Sequence, residues 1–236
     1  MKIAVMQPYF FPYIGYWQLI NAVDEYVIFD DVNYIKRGWI NRNNILLNGT
    51  SKRINLHIKD ASQNRLIMET KLAQTDEDNR VLLASIEQSY RRAPCFELVY
   101  PLIEDILSYP SKNLAEYLYN QIKEICNYLD IRTKIILSSE IEKHIDLKGE
   151  EKIIAICKKR GADTYINAIG GKELYHKERF RNEGLNLKFL KTENVCYKQF
   201  KNDFVPYLSI IDVMMFNNQR NLKVLLDMFS LDENTN

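Results

Sequence analysis

The sequence predicts an α/β fold, a Rossmann-like parallel sheet flanked by helices with a helical insertion in the middle, and three observations predict it. A short apolar strand, a proline- and aromatic-rich loop, a helix and a β-branched strand follow one another between Lys2 and Phe29. Strand and helix alternate again over the last third, from Lys134 to Leu190. Between these stretches, residues 76–130 read as mainly helical, which points to an insertion within a single domain covering residues 1–236.

The elements follow in order. Lys2 to Met6 has the short apolar run of a buried strand, and Glu25 to Phe29 is β-branched and aromatic. The helix between them, Ile14 to Ala22, makes a parallel βαβ unit with a right-handed crossover. Ile45-Leu46-Leu47 and Arg53 to Ile58 flank Asn48-Gly49, a hairpin turn signal. Leu82, Leu83, Ile86 and Tyr90 share a helical face that ends before Pro94. Ser111 or Asn113 caps a long helix carrying Leu114, Leu118, Ile122, Ile125 and Leu129. Lys134 to Ser138 is a strand, and Asp146 caps a helix that runs to Arg160 and stops at Gly161. Thr164 to Asn167 is the next strand. A turn at Gly170-Gly171, a helix to about Asn182 and a strand from Asn186 to Leu190 complete the alternation. Ser209 opens an apolar helix to about Phe216, and another begins near Leu222.

Composition narrows the function. A chain with 46% hydrophobic and 27% charged residues is globular, apart from a polar tail at Asp232 to Asn236. The net charge of +1 gives no ground for binding nucleic acid or an anionic membrane. No window reaches the length of a membrane span, and the apolar run at the N-terminus is too short for a signal sequence, so the cytoplasm is the expected compartment. Cys95, Cys126, Cys157 and Cys196 are scattered and never form a C-x-x-C pair. Zinc and a disulfide framework are therefore not expected, and Cys126 and Cys157 read as buried thiols.

Four constellations could carry chemistry. The loop from Gln7 to Tyr16 contains Tyr9, Tyr13 and Gly15, stands between a strand and a helix, and is stiffened by two prolines. In open parallel sheets such loops meet ligands, where helix N-termini offer free N–H groups to anions. A plain aromatic plug over the sheet edge is the competing reading. The segment Asp30 to Arg42 places adjacent carboxylates, Asp30 and Asp31, at a strand end with Lys36, Arg37, Trp39, Asn41 and Arg42 close behind. Carboxylates so placed can hold Mg²⁺ or take a proton, while the cations grip phosphate oxygens; a solvated turn with internal ion pairs is the alternative. Asn167 to Tyr175, with Gly170 and Gly171, could cradle an anion but lacks P-loop spacing. Tyr197-Lys198-Gln199 and Leu208-Ser209-Ile210-Ile211-Asp212 add a possible contact at Gln199 and at Ser209, the latter reading first as a helix cap.

These same segments resemble the WbqC-like family over nearly the whole chain: Gln7-Pro8-Tyr9-Phe10-Phe11-Pro12-Tyr13-Ile14-Gly15-Tyr16, Asp30-Asp31 with Lys36 to Arg42, Tyr165 to Tyr175, and Tyr197-x-Gln199 with Leu208 to Asp212. The resemblance implies bacterial origin and a role in making surface polysaccharide such as O-antigen. The layout of strand, proline loop and helix is also similar, more weakly, to the nucleotide-binding start of nucleotidyltransferases and pantothenate synthetase. Where those enzymes carry imidazoles, this chain has the phenols of Tyr13 and Tyr16 around Gly15.

The expected activity is therefore transfer of an acyl or aminoacyl group to the amino sugar of a nucleotide-linked sugar. Asp30 or Asp31 serves as base or metal ligand, Lys36, Arg37 and Arg42 hold diphosphate, and Tyr13, Tyr16 and Trp39 stack on base or sugar. The cofactors it points to are ATP or an acyl-CoA with Mg²⁺, and the assembly a homodimer. The alternative is a non-catalytic protein that binds a nucleotide-sugar or a glycosyltransferase partner, which an exposed patch at Met214, Met215 and Phe216 would favour.

Overall fold

The computed structural model describes residues 1–144, 146–201 and 203–232. Strand β1 (Lys2–Met6), helix α1 (Ile14–Asn21) and strand β2 (Glu25–Ile28) open the chain, and β2 lies parallel to β1 with Ile3 opposite Glu25 and Met6 opposite Ile28. The chain then leaves the sheet. It forms a hairpin of β3 (Arg42–Leu47) and β4 (Thr50–Asn55), a short pair β5 (Ile58–Lys59) and β6 (Lys71–Leu72), and three helices, α2 (Asp76–Tyr90), α3 (Phe96–Leu107) and α4 (Leu114–Tyr128). It returns through β7 (Lys134–Leu137), α5 (Gly149–Arg160), β8 (Thr164–Ala168), α6 (Lys177–Asn182) and β9 (Asn186–Thr192). Helices α7 (Ile210–Phe216) and α8 (Gln219–Leu226) and strand β10 (Phe229–Asp232) follow.

The main sheet has the order β10-β9-β8-β1-β2-β7 and is parallel except for β10, which runs antiparallel to β9. From β1 the chain moves outward to β2 and β7, then crosses back to β8 on the other side of β1. That reversal opens a crevice at the carboxyl ends of β1 and β8, where ligands of doubly wound sheets bind.

Helices cover both faces, because alternate residues of the central strands are apolar on each side. Ile3, Val5 and Val27 meet Ile153, Ile156 and Cys157 of α5 and Phe180 of α6 in one core. Ala4, Tyr26 and Ile28 join Trp17 and Ile20 of α1 and the helices of the long excursion in the other. Local signals fix several ends. Asn48 and Gly49 take φ values of 51° and 76°, the left-handed pair that a two-residue hairpin needs. Thr75 and Asp78 form a capping box on α2, and Asn113 accepts a hydrogen bond from the Glu116 N–H to cap α4. Gly161, at φ 69°, ends α5.

Four expectations need correction. Asp146 is not a cap: α5 starts at Gly149 after Lys148, which makes no side-chain cap. The segment before it is held instead in a loop, where Lys143 donates to the carbonyls of Ser138 and Ile141. Gly170 and Gly171 lie in a short 3₁₀ stretch, Ile169–Leu174, and not in a plain turn. Strand β10 runs through Asp232, which the sequence places at the start of a polar tail; residues 233–236 lie outside the described residues. Finally, Met214 and Met215 are fully buried in the core, so they form no partner-binding patch. Cys126 and Cys157 are buried free thiols as expected.

Candidate functional site

The loop after β1 is rigid because its backbone polar groups have dedicated partners. The buried amide of Asn43 on β3 donates to the carbonyls of Phe10 and Phe11 at 3.0 and 2.8 Å. Gln121 of α4 donates to the Tyr9 carbonyl and accepts from the Phe11 N–H, both at 3.1 Å. Trp17 Nε1 donates to the Pro12 carbonyl at 3.0 Å. Phe10 and Phe11 turn inward and are fully buried, so they are the plug. Tyr9 and Tyr13 turn the other way.

Those two tyrosines line a cleft of about 360 Å³ with Trp39, Tyr207, Pro12 and Pro206, and Asn44 and Ser51 supply polar groups. Trp39 and Tyr207 are 47% and 81% exposed, far more than aromatic rings held only by packing. Burial raises the phenols of Tyr9 and Tyr13 above their usual pKa, so both are neutral donors at physiological pH. Gly15 makes this wall possible. A Cβ there would fall 2.5 Å from both the Tyr13 ring and the Thr192 hydroxyl.

Tyr207 is brought to the cleft by a buried network. The carboxylate of Asp212 accepts hydrogen bonds from the hydroxyls of Tyr90 (2.9 Å) and Tyr197 (2.7 Å) and from the Gln199 amide (2.6 Å). Gln199 also pairs with both backbone groups of Val205, closing the loop that carries Pro206 and Tyr207. Ser209 caps α7 by accepting from the Ile211 N–H, and its own N–H donates to the Asn44 carbonyl. Gln199 and Ser209 are both buried and shape the wall from behind.

A second, larger cavity of about 810 Å³ lies beyond the carboxyl ends of β2 and β7, lined by Phe29, Asp31, Ser139, Lys143, Gly149 and Lys152 among others. The adjacent carboxylates are parted here, just past the end of β2, and each has its own partners. Asp30 is buried and accepts from the Ser139 N–H (2.9 Å) and hydroxyl (2.6 Å). Burial raises its pKa despite those bonds. Asp31 meets Lys143 at 2.8 Å and Lys152 at 3.0 Å. Burial works against its ionisation, but Lys143, Ser138 and Lys152 outweigh it and hold the carboxyl below its usual range. Two carboxylates committed separately, one to a serine and one to lysines, do not form a clamp for Mg²⁺. Among the described residues no group of three His, Cys, Asp or Glu side chains is placed to hold a metal ion.

The other sequence-predicted residues divide in the same way. Tyr16 donates to the Gln7 carbonyl from a buried position in α1. Asn41 pairs with Tyr34 and Leu56, and the Arg42 Nε donates to the Gly38 carbonyl. Lys36 and Arg37 are exposed on the turn before Trp39. Asn167 is buried at the end of β8, where a Cβ on Gly171 would meet its amide at 2.5 Å, while Gly170 faces open space. Tyr175 packs on Tyr165 and Phe180, with the α5 and α6 face of the sheet. Lys143, Lys152, Ser139 and Tyr207 were not foreseen. Their only sequence signal was a lysine pair scattered among other lysines.

Fold and site define a class: a doubly wound α/β protein with an aromatic cleft and a lysine-lined cavity at the carboxyl ends of its strands. Residues 7–224 match the WbqC-like protein family, and the chain belongs to that family. It is 28% identical to the uncharacterized protein Rv1507c of Mycobacterium tuberculosis over 219 residues, which is 92% of this chain and 93% of that one. No solved structure matches it. Among the described residues no helix is long and apolar enough to cross a membrane.

Proposed function

We propose that this protein is a group-transfer enzyme of bacterial surface-polysaccharide (O-antigen) biosynthesis, attaching an acyl or aminoacyl group to the amino sugar of a nucleotide-linked sugar. The observation that supports it most is the cleft walled by Tyr9, Tyr13, Trp39 and Tyr207. Flat rings set around a slot suit a nucleobase or the apolar face of a pyranose, and stacking on such rings contributes about 1–3 kcal/mol per base. Lys36, Arg37 and Arg42 lie in the same segment and take the diphosphate. Segment 31–39 lines the lysine cavity at Asp31 and the cleft at Trp39, which links donor and acceptor.

In the reaction, the sugar amine attacks the acyl carbonyl, the ammonium proton passes to a base, and the thiolate or phosphate of the activated donor leaves. Asp30 is the base, reached through the Ser139 hydroxyl, because its raised pKa keeps it able to take a proton. Asp31 remains ionised, paired with Lys143 and Lys152.

A thermal-shift screen with nucleotide-linked amino sugars tests the reading, in the presence and absence of ATP, acyl-CoAs and Mg²⁺. A ligand at about 100 times its Kd adds about 2.7 kcal/mol, and Trp39→Ala should remove most of that gain. Absence of any response to nucleotide-sugars would overturn it. Binding without turnover, in every donor combination, would leave a nucleotide-sugar carrier in its place.

A further inference from the structure

We infer that the cavity between the carboxyl ends of β2 and β7 is a second binding site, built for the phosphate groups of a nucleotide-sized anion. Lys143 and Lys152 are only 7% and 9% exposed, and both ammoniums rest on the same carboxylate oxygen, Asp31 Oδ2. Two buried cations therefore share the single Asp31 carboxylate, while the neighbouring Asp30 is turned to Ser139, so positive charge is concentrated at the two ammoniums where little water can screen it.

The hydrogen-bond inventory shows where that charge is directed. Lys143 has three acceptors for its three protons: Asp31 Oδ2 and the carbonyls of Ser138 and Ile141. Lys152 has two, Asp31 Oδ2 and the Asp31 carbonyl at 2.7 Å, with its charge 5.2 Å from the Phe29 ring centre. One N–H of Lys152 is left without an acceptor among the described residues, in a side chain that lines the cavity.

The surroundings agree. The first turn of the twelve-residue α5 reaches the same cavity at Gly149 and has no side-chain cap. Space is open beside Gly149, where no atom lies within 4 Å of the place a Cβ would take. The acidic residues of that turn face elsewhere, Glu150 toward His176 and Arg179 and Glu151 toward Arg179. Of the remaining charged lining, Glu142 is 89% exposed and paired with Lys159, Glu140 is exposed, and Lys148 and His144 add rim groups of basic type. A volume of about 810 Å³ is more than one carboxylate needs and lies in the range of nucleotide-sized ligands, about 300–1,000 Å³. The site extends the group-transfer reading by giving the activated donor a place, but its charge argument does not depend on turnover.

The test is calorimetric titration of the full chain with inorganic diphosphate, followed by competition with ATP and with CoA. Wild type should bind diphosphate, and Lys152→Met should weaken it by at least about tenfold, the loss of one charge-assisted hydrogen bond. Asp31→Asn should bind as tightly or more tightly, because it removes the competing anion. Lys148→Ala, on the exposed rim, should weaken binding slightly and covers the case in which Lys152→Met does not fold. Loss of diphosphate binding in Lys36→Ala with Arg37→Ala, and not in Lys152→Met, would place the ion on the basic turn before Trp39 and overturn the site. Displacement by ATP or by CoA identifies the source of the phosphate, and either supports the site. The inference is overturned if wild type does not bind diphosphate at millimolar concentration. It is overturned equally if a folded Lys152→Met binds as wild type does, or if a folded Asp31→Asn loses binding.

Discussion

Replacing Asp212 by alanine removes the acceptor at the centre of the network behind the cleft. Three donors converge on this fully buried carboxylate, and among the described residues no cation is paired with it. Tyr90 would lose the acceptor for its proton while still accepting from the Leu46 N–H at 2.8 Å. Gln199 would keep the Val205 carbonyl, and Tyr197, half-buried, could turn to water. A buried donor left unpaired costs about 1–3 kcal/mol, so one full loss and two partial ones come to about 3–5 kcal/mol. Relief from burying an uncompensated charge returns part of this, and the net expectation is about 2–4 kcal/mol of destabilisation. For a chain of this length each kcal/mol lowers Tm by about 2–4 °C. Urea unfolding followed by circular dichroism measures it, with Tyr197→Phe alongside at about 1 kcal/mol. There is also a pH signature. Burial raises the Asp212 pKa, so its contribution is greatest below the unfolded value and is lost as pH rises through the folded one. Asp212→Asn should lack that slope. A loss below about 1 kcal/mol for Asp212→Ala, or an unchanged slope in Asp212→Asn, would refute the reasoning.

Other buried contacts give further expected outcomes. Gly15→Ala should cost about 1–3 kcal/mol through overpacking, because its Cβ would meet the Tyr13 ring, and should weaken nucleotide-sugar binding more than diphosphate binding; paired thermal-shift and calorimetric measurements check both. Asn43→Ala leaves the Phe10 and Phe11 carbonyls without their shared donor and should cost about 2–4 kcal/mol in denaturant unfolding. Glu25, whose side chain is 4% exposed, is paired with Arg160 and Lys134. Burial would raise its pKa, but those partners outweigh it and lower it. Its stabilisation is thus present above the unfolded carboxylate pKa of about 4.3 and is lost as pH falls through the lower folded value. Glu25→Gln should cost about 1–2 kcal/mol near neutral pH, allowing for the partly exposed Arg160, and should flatten the acid limb of a stability–pH curve.

What could be read in the sequence was what local chemistry decides. The hairpin at Asn48-Gly49, the Ser209 cap and the β1–α1–β2 unit each need only neighbouring residues to specify them. The candidate site was legible in part, since Tyr9, Tyr13 and Trp39 do converge. Asp30 and Asp31 read as a pair because they are adjacent, yet one is bound to Ser139 and the other to two lysines. Asp31 finds its partners 112 and 121 residues away, at Lys143 and Lys152, and no spacing rule could announce that. The role of Gln199 was hidden similarly. Its amide looked like a ligand contact, but it is used up on Val205 and Asp212.

The route of the chain between β2 and β7 has a consequence for how the protein reaches this state. These two strands are neighbours in the sheet, but the hairpins and three helices of the excursion separate them in sequence. Asp30 bonds to Ser139 across a separation of 109 residues, so the joint that closes this edge of the sheet is a non-local contact. Loop-closure entropy must be met before such a contact forms, which makes it a late step in folding. The lysine cavity is built on that joint. Asp31 on one wall therefore meets Lys143 and Lys152 on the other only once that loop has closed.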